Sequence, residues 1–221
     1  MTENMDYPLI AKPDGPDYFI IMGIDPGTTS LGVGVLKVDI ITLQVVGSNY
    51  KALNANKPSG GRLFNDWMVE YYGERSTRIR ELAWMLGAEL NHYRPLFVCC
   101  ETAFFNATNA SAFGPLMEVI KTVENSVYAW NCFRPLYRIE TTVAKQAIAP
   151  VTSELKTTFK ALCKSKTLDS SKARVLWCSQ HHPEFSNITA NIPYNEHGLD
   201  ALVIAYAQLL RIRQRNFTIT F

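Results

Sequence analysis

The sequence predicts an α/β fold in which a mixed, five-stranded sheet is flanked by helices. Three consecutive apolar and β-branched segments occupy the first fifty residues, and helical and strand-like segments alternate after them. This order of elements is typical of a mixed sheet covered by helices. The 221 residues are enough for one domain with a substantial core.

Three strands are predicted near residues 18–24, 31–38 and 42–50, where turn residues separate apolar runs. After a loop at 54–61, the apolar spacing over 76–93 predicts a helix that Pro95 ends. Residues 96–100 form a short, wholly apolar run, which fits a strand covered on both faces.

In the second half, strand and helix signals continue to alternate. A strand is predicted over 137–140, and helices over about 111–130, 142–149, 172–180 and 198–213. Gly114 and Pro115 are expected to break or delay the first turn of the 111–130 helix. We expect residues 1–17 to form a leader, 18–215 to form a single domain, and 150–171 to be irregular or weakly helical.

Composition excludes several classes of protein. Hydrophobic residues make up 47% and charged residues 19% of the chain, as in ordinary globular proteins. The sequence predicts no signal peptide or membrane span, and its five cysteines lack the spacing of a disulfide framework, so reduced thiols in a cytoplasmic protein are expected. Cys178, His181 and His182 suggest zinc only faintly, because a second ligand pair is missing.

Positive charge is concentrated in one stretch of a nearly neutral chain. Between Arg134 and Gln180, nine Lys and Arg residues face three acids, whereas the whole chain carries a net charge of only +2. A localised basic surface suits a polyanionic partner. A solvated helix that bears lysines would give the same pattern, so charge alone leaves both readings open.

Two predicted strands end in an acid. Asp25 follows the first apolar run and precedes a Gly/Thr turn, and Glu101 follows the run that ends at Cys100. An Asp in a tight turn is common, so Asp25 alone is compatible with a simple hairpin. If the two strands are neighbours, however, their tips lie within about 5–10 Å of each other, since adjacent strands are ~4.8 Å apart.

The last predicted helix adds further acids and a histidine. His197 and Asp200 share one helical face, and Asp200 lies within an apolar stretch that should turn inward. Glu196 has a sufficient structural explanation at a helix N-terminus, and whether it joins a site stays open. Carboxylates with one imidazole suit Mg²⁺, or Mn²⁺ in its place, and two such ions would activate water against a phosphodiester.

Five short motifs, in this order and spacing, resemble those of RuvC-type Holliday junction resolvases over residues 18–210. They are Ile24-Asp25-Pro26-Gly27, Glu101-Thr102-Ala103-Phe104-Phe105-Asn106, Tyr137 with Thr142-Val143-Ala144-Lys145-Gln146-Ala147, Lys172-Ala173-Arg174-Val175, and His197-Gly198-Leu199-Asp200-Ala201-Leu202. The resemblance implies an RNase H-like fold whose first three strands are antiparallel, and a homodimer that nicks four-way DNA junctions symmetrically. A phage or viral member would fit the longer segments at 54–76 and 150–171.

The resemblance also implies roles for individual residues. Asp25, Glu101 and Asp200 match the metal-binding acids of the family, and His197 matches its fourth catalytic position. Phe104 matches the aromatic residue that wedges against a base near the crossover. Contacts to DNA are expected from Phe104, Phe105, Lys145, Lys172 and Arg174. Two Mg²⁺ ions per active site are expected.

Other functions stay open at this stage. An RNase H-like nuclease that acts on RNA–DNA hybrids or flaps would use the same acids, and a non-catalytic junction-binding protein is a further alternative. Gly23 to Thr29 also resembles the first phosphate loop of the actin, Hsp70 and sugar-kinase superfamily. The sequence lacks the duplicated lobe and second Gly-rich loop of those proteins, so no nucleotide cofactor is expected.

Overall fold

The computed structural model describes residues 17–55, 66–103, 110–148, 170–192 and 194–214, together with positions 157 and 161. The strands are β1 (Tyr18–Pro26), β2 (Ser30–Asp39), β3 (Val45–Asn54), β4 (Phe97–Glu101) and β5 (Leu136–Ile139). The helices are α1 (Asp66–Tyr72), α2 (Glu74–Tyr93), α3 (Ala110–Trp130), α4 (Thr141–Ile148), α5 (Ser170–His181), α6 (Phe185–Thr189) and α7 (Glu196–Gln214). None of the helices in these ranges combines the length and apolar character needed to cross a membrane.

The five strands form one mixed sheet in the order β3-β2-β1-β4-β5. The first three strands are antiparallel neighbours, whereas β4 pairs in parallel with both β1 and β5. The predicted fold class is therefore confirmed. Because β1 and β4 run in the same direction side by side, their carboxyl ends meet at one edge of the sheet.

The alternation of side chains divides the core into two halves. On one face, Ile21 of β1 and Cys99 of β4 pack with α7 residues such as Leu202. On the other face, Met22 and Val98 pack against α2 and α3. Since side chains two residues apart along a strand share a face, Asp25 and Glu101 fall on the α7 face of the sheet.

The predicted bounds of β3 were wrong. Asp39 Oδ1 accepts hydrogen bonds from the amides of Ile41 (3.0 Å) and Thr42 (2.7 Å), and Leu43 has a φ of 54°. These features fix residues 40–44 in a turn, so the third strand begins only at Val45.

Three helices also differ from the prediction. Helices α1 and α6, which span seven and five residues, are too short to show a clear apolar period. The predicted break at Pro115 was wrong, since α3 begins at Ala110 and continues through it. A proline near a helix start removes a single backbone hydrogen bond, which the packing of α3 on the sheet offsets.

Candidate active site

The ends of β1 and β4 bring two of the predicted acids together. Ile24 pairs with Cys100 in the parallel register, and Asp25 and Glu101 are the next residues of the two strands. Neighbouring strands lie about 4.8 Å apart. Because both side chains fall on the α7 face, the two carboxylates are neighbours at the sheet edge.

Helix α7 supplies the third acid and the histidine. The side chain of Asn195 accepts a hydrogen bond of 2.8 Å from the Gly198 amide, as expected of a residue that caps a helix start. The helix therefore begins at Glu196, and His197 and Asp200 lie within its first two turns.

Three glycines let α7 lie directly on the sheet. A Cβ atom at Gly32 would overlap the backbone oxygen of His197, and one at Gly34 would overlap the backbone of Leu202. A Cβ atom at Gly23 would come within 2.7 Å of the Ala205 nitrogen. Only residues without a side chain fit here, so the glycines hold His197 above the end of β1.

His197 and Asp25 form a close pair. The imidazole Nδ1 lies 2.8 Å from Asp25 Oδ2, and 12% of the Asp25 side chain is exposed against 45% of the His197 side chain. The hydrogen bond to the carboxylate raises the pKa of His197, although burial opposes this effect. The imidazole beside Asp25 therefore holds its proton more strongly than a free histidine does.

The other two acids are crowded. Burial raises the pKa of Glu101 well above its ordinary value, a hydrogen bond from Thr141 opposes this, and the Asp25 carboxylate adds to it. Burial also raises the pKa of Asp200 to about 6, with Asp25 adding to the rise and Lys145 opposing it. The charge of Asp25 thus raises the pKa of both Glu101 and Asp200, so the three carboxylates form one electrostatic cluster.

The cluster fits a hard divalent cation by its donor chemistry. Carboxylate oxygens are the ligands that Mg²⁺ and Mn²⁺ prefer, and a cation would relieve the repulsion between crowded acids. As the side chains stand, Asp25 hydrogen-bonds His197 and Glu101, and within the described ranges no three or more His, Cys, Asp or Glu side chains are arranged as a metal site. Ligation would therefore require side-chain rotation.

Of the other predicted site residues, the structure describes some fully, some only by the helix that carries them, and some not at all. Lys145 lies on α4, half-buried, where its charge opposes the rise in the pKa of Asp200. Glu196 is the first residue of α7, and its charge contributes to the raised pKa of His197. Lys172 and Arg174 lie on α5, but their side chains are outside the described part of the chain, and Phe104 and Phe105 are outside the described residues altogether.

One residue at the site was missed by the sequence analysis. Thr141 hydrogen-bonds the Glu101 side chain, and a single threonine at a helix start gives no signal beyond that of an ordinary cap. The faint zinc pattern on α5 is explained by local contacts instead. His181 Nδ1 bonds the Trp177 carbonyl at 2.8 Å, and His182 Nδ1 accepts the Phe185 amide at 3.0 Å.

Comparison with known proteins identifies the fold. RuvC from Thermus thermophilus matches with a TM-score of 0.58 and 21% sequence identity, over 89% of this chain and 96% of that chain. T. thermophilus RuvC in complex with a Holliday junction substrate matches with a TM-score of 0.53 and 19% identity, over the same shares of the two chains. No protein-family model and no curated protein matches the sequence. The predicted RuvC-like fold, of RNase H type, is confirmed.

Proposed function

We propose that this chain, whose fold is that of RuvC, is a metal-dependent endonuclease that resolves four-way DNA junctions and related branched DNA. The observation that carries the proposal is the cluster of Asp25, Glu101, Asp200 and His197 at one edge of the sheet. These residues come from three elements far apart in sequence, and each of the crowded acids interacts with Asp25. Burying carboxylates this close together lowers the stability of the fold unless the site binds a charged ligand.

The three carboxylates would hold Mg²⁺, two ions per site, with Mn²⁺ able to substitute. When bound, Mg²⁺ supplies an activated water for attack on the phosphodiester and stabilises the leaving oxygen. Asp25 lies at the end of β1, beside Glu101 and hydrogen-bonded to His197, so it would be one of the residues that hold the ions. His197 would complete the ligand set as a neutral imidazole, or, as an imidazolium beside Asp25, it would donate a proton to the leaving oxygen. The products would carry 5′-phosphate and 3′-hydroxyl ends.

Basic and aromatic residues around the cluster would bind the DNA. Lys145 is placed on α4 close to Asp200, where its charge can also meet a backbone phosphate. Lys172 and Arg174 on α5 would extend this basic surface. Phe104 and Phe105 follow Glu101 within three to four residues, so one of them could stack on a base exposed at the crossover.

A two-fold dimer would allow paired cuts across a junction. Helix α3 is the candidate dimer interface that the resemblance to RuvC suggests, but its residues Ile120, Val123 and Val127 are buried in the core and Leu116 is partly buried against them. Met117 and Tyr128, whose side chains are 43% and 68% exposed, remain on the outer surface of the same helix. Sedimentation of the purified chain, alone and with junction DNA, tests this expectation.

The decisive experiment compares four substrates in one nicking assay. A four-way junction, a flap, a linear duplex and an RNA–DNA hybrid are each incubated with the chain in Mg²⁺ or in EDTA. We expect Mg²⁺-dependent, paired nicks in the junction. Preferred cleavage of the hybrid or the flap would replace the proposal with the alternative nuclease, and junction binding without cleavage would indicate a non-catalytic binder.

Asp25→Asn is the matched variant for this assay. It keeps the shape of the side chain but removes the charge that the site shares, so nicking should be abolished while junction binding persists. Lost binding with an intact fold would show that Asp25 has another role.

A further inference from the structure

Helix α4 begins beside Glu101. Ile139, the last residue of β5, pairs with Glu101, and its carbonyl accepts a hydrogen bond of 2.9 Å from the Thr102 amide. Thr141, the first residue of α4, follows two positions later. Its half-buried side chain hydrogen-bonds the Glu101 carboxylate.

The same face of α4 reaches a second acid. Lys145 lies one helical turn after Thr141, and residues four apart on a helix are neighbours. The Lys145 charge acts on Asp200, while the Thr141 hydroxyl acts on Glu101. Helix α4 thus acts on two acids that come from different elements, on Asp200 through the Lys145 charge and on Glu101 through the Thr141 hydroxyl.

We infer that Thr141 is a positioning residue that orients the Glu101 carboxylate for metal binding, an inference that rests on the proposed function. The Glu101 side chain has three rotatable torsions, and the neighbouring Asp25 carboxylate both repels its charge and hydrogen-bonds it. A hydroxyl donated to one carboxylate oxygen would limit the rotation of the group while a cation replaces its hydrogen bond to Asp25. Outer partners of this kind typically change metal affinity by about 10- to 100-fold when they are removed.

A purely structural role for Thr141 has different consequences. A hydroxyl at the start of α4 could simply stabilise the helix, in which case its removal would lower the unfolding temperature without changing metal affinity. Thr142 offers a matched control, since it lies next in the same helical turn and its side chain is exposed. The two threonines have the same chemistry, but only Thr141 bonds the acid.

The experiment titrates Mn²⁺ into the full chain by calorimetry and records thermal unfolding of each variant. Thr141→Val removes the hydroxyl while keeping the shape, Thr141→Ala removes it without a branched side chain, and Thr141→Ser retains it. We expect the Val and Ala variants to bind Mn²⁺ at least ~10-fold more weakly. Thr141→Ser and Thr142→Val should bind like the wild type.

Each outcome decides a separate point. Equal Mn²⁺ affinity in Thr141→Val, Thr141→Ala and the wild type would overturn this inference alone, even if their unfolding temperatures fell. An equal loss in Thr142→Val would do the same, because the effect would then belong to the helix start. A wild type that binds no Mn²⁺ would overturn the proposed metal dependence and this inference with it.

Discussion

Replacing Gly34 by alanine tests whether α7 is held in place by its contact with the sheet. The new methyl group would overlap the backbone nitrogen and Cα of Leu202, and it would lie 2.6 Å from the carbonyl carbon of Ala201. Ordinary van der Waals contacts of a Cβ atom begin at 3.4 Å. Because the obstructing atoms are helix backbone, no side-chain rotation can relieve the overlap, and α7 has to move as a unit by about 1 Å.

The expected cost is at the upper end of the range for overpacking. Inserting a methyl group into a packed core costs about 1–3 kcal/mol when side chains can adjust, so we expect ~3 kcal/mol or more here. At about 2–4 °C per kcal/mol, the unfolding temperature should fall by roughly 6–12 °C. Since α7 carries His197 and Asp200, a displacement of ~1 Å should also reduce nicking by about 100-fold.

Gly87→Ala is the matched control for this prediction. Gly87 lies inside α2, and a methyl group there would meet no described atom within 4 Å. The same substitution should therefore stabilise the chain by about 0.8–1.0 kcal/mol through helix propensity. Calorimetric unfolding of both variants gives the answer. If Gly34→Ala unfolds at the wild-type temperature or above it, the close contact between sheet and helix is not a constraint.

Two further predictions concern charge. Lys145→Ala should weaken junction binding and reduce the salt dependence of log K by about one unit, since each phosphate contact contributes ~0.9; an unchanged slope in binding titrations would remove Lys145 from the phosphate contacts. Glu184 accepts hydrogen bonds from Arg213 (2.7 and 2.9 Å) and from Tyr206 (2.7 Å), and the bonds from Arg213 contribute most to the lowered pKa of Glu184. This carboxylate stabilises the fold above its unfolded pKa and loses that effect as pH falls through its lower folded pKa. Because 34% of the Glu184 side chain is exposed and solvent screens the pair, Glu184→Gln should cost about 1 kcal/mol at pH 7, with a smaller difference from the wild type at pH 3 in urea unfolding. An equal difference at both pH values would contradict this reasoning.

The sequence determined the strands and the acids at their ends. Alternating or continuous apolar residues are a local property, so β1, β2 and β4 were predicted close to their observed bounds, with Asp25 and Glu101 at the tips of two of them. The apolar face of the last helix likewise predicted α7 and the inward position of Asp200. Helices α1 and α6 could not be predicted in this way, because so few residues leave little periodic signal.

Only the tertiary structure decided which of these residues meet. The bond between Asp25 and His197 joins residues 172 positions apart, and it depends on glycines in β1 and β2 that admit a helix formed much later in the chain. The contact of Thr141 with Glu101 depends in the same way on the pairing of β4 with β5. A local pattern fixes how a segment folds and which face it buries, but contacts between segments follow from strand order and helix packing, which no single segment encodes.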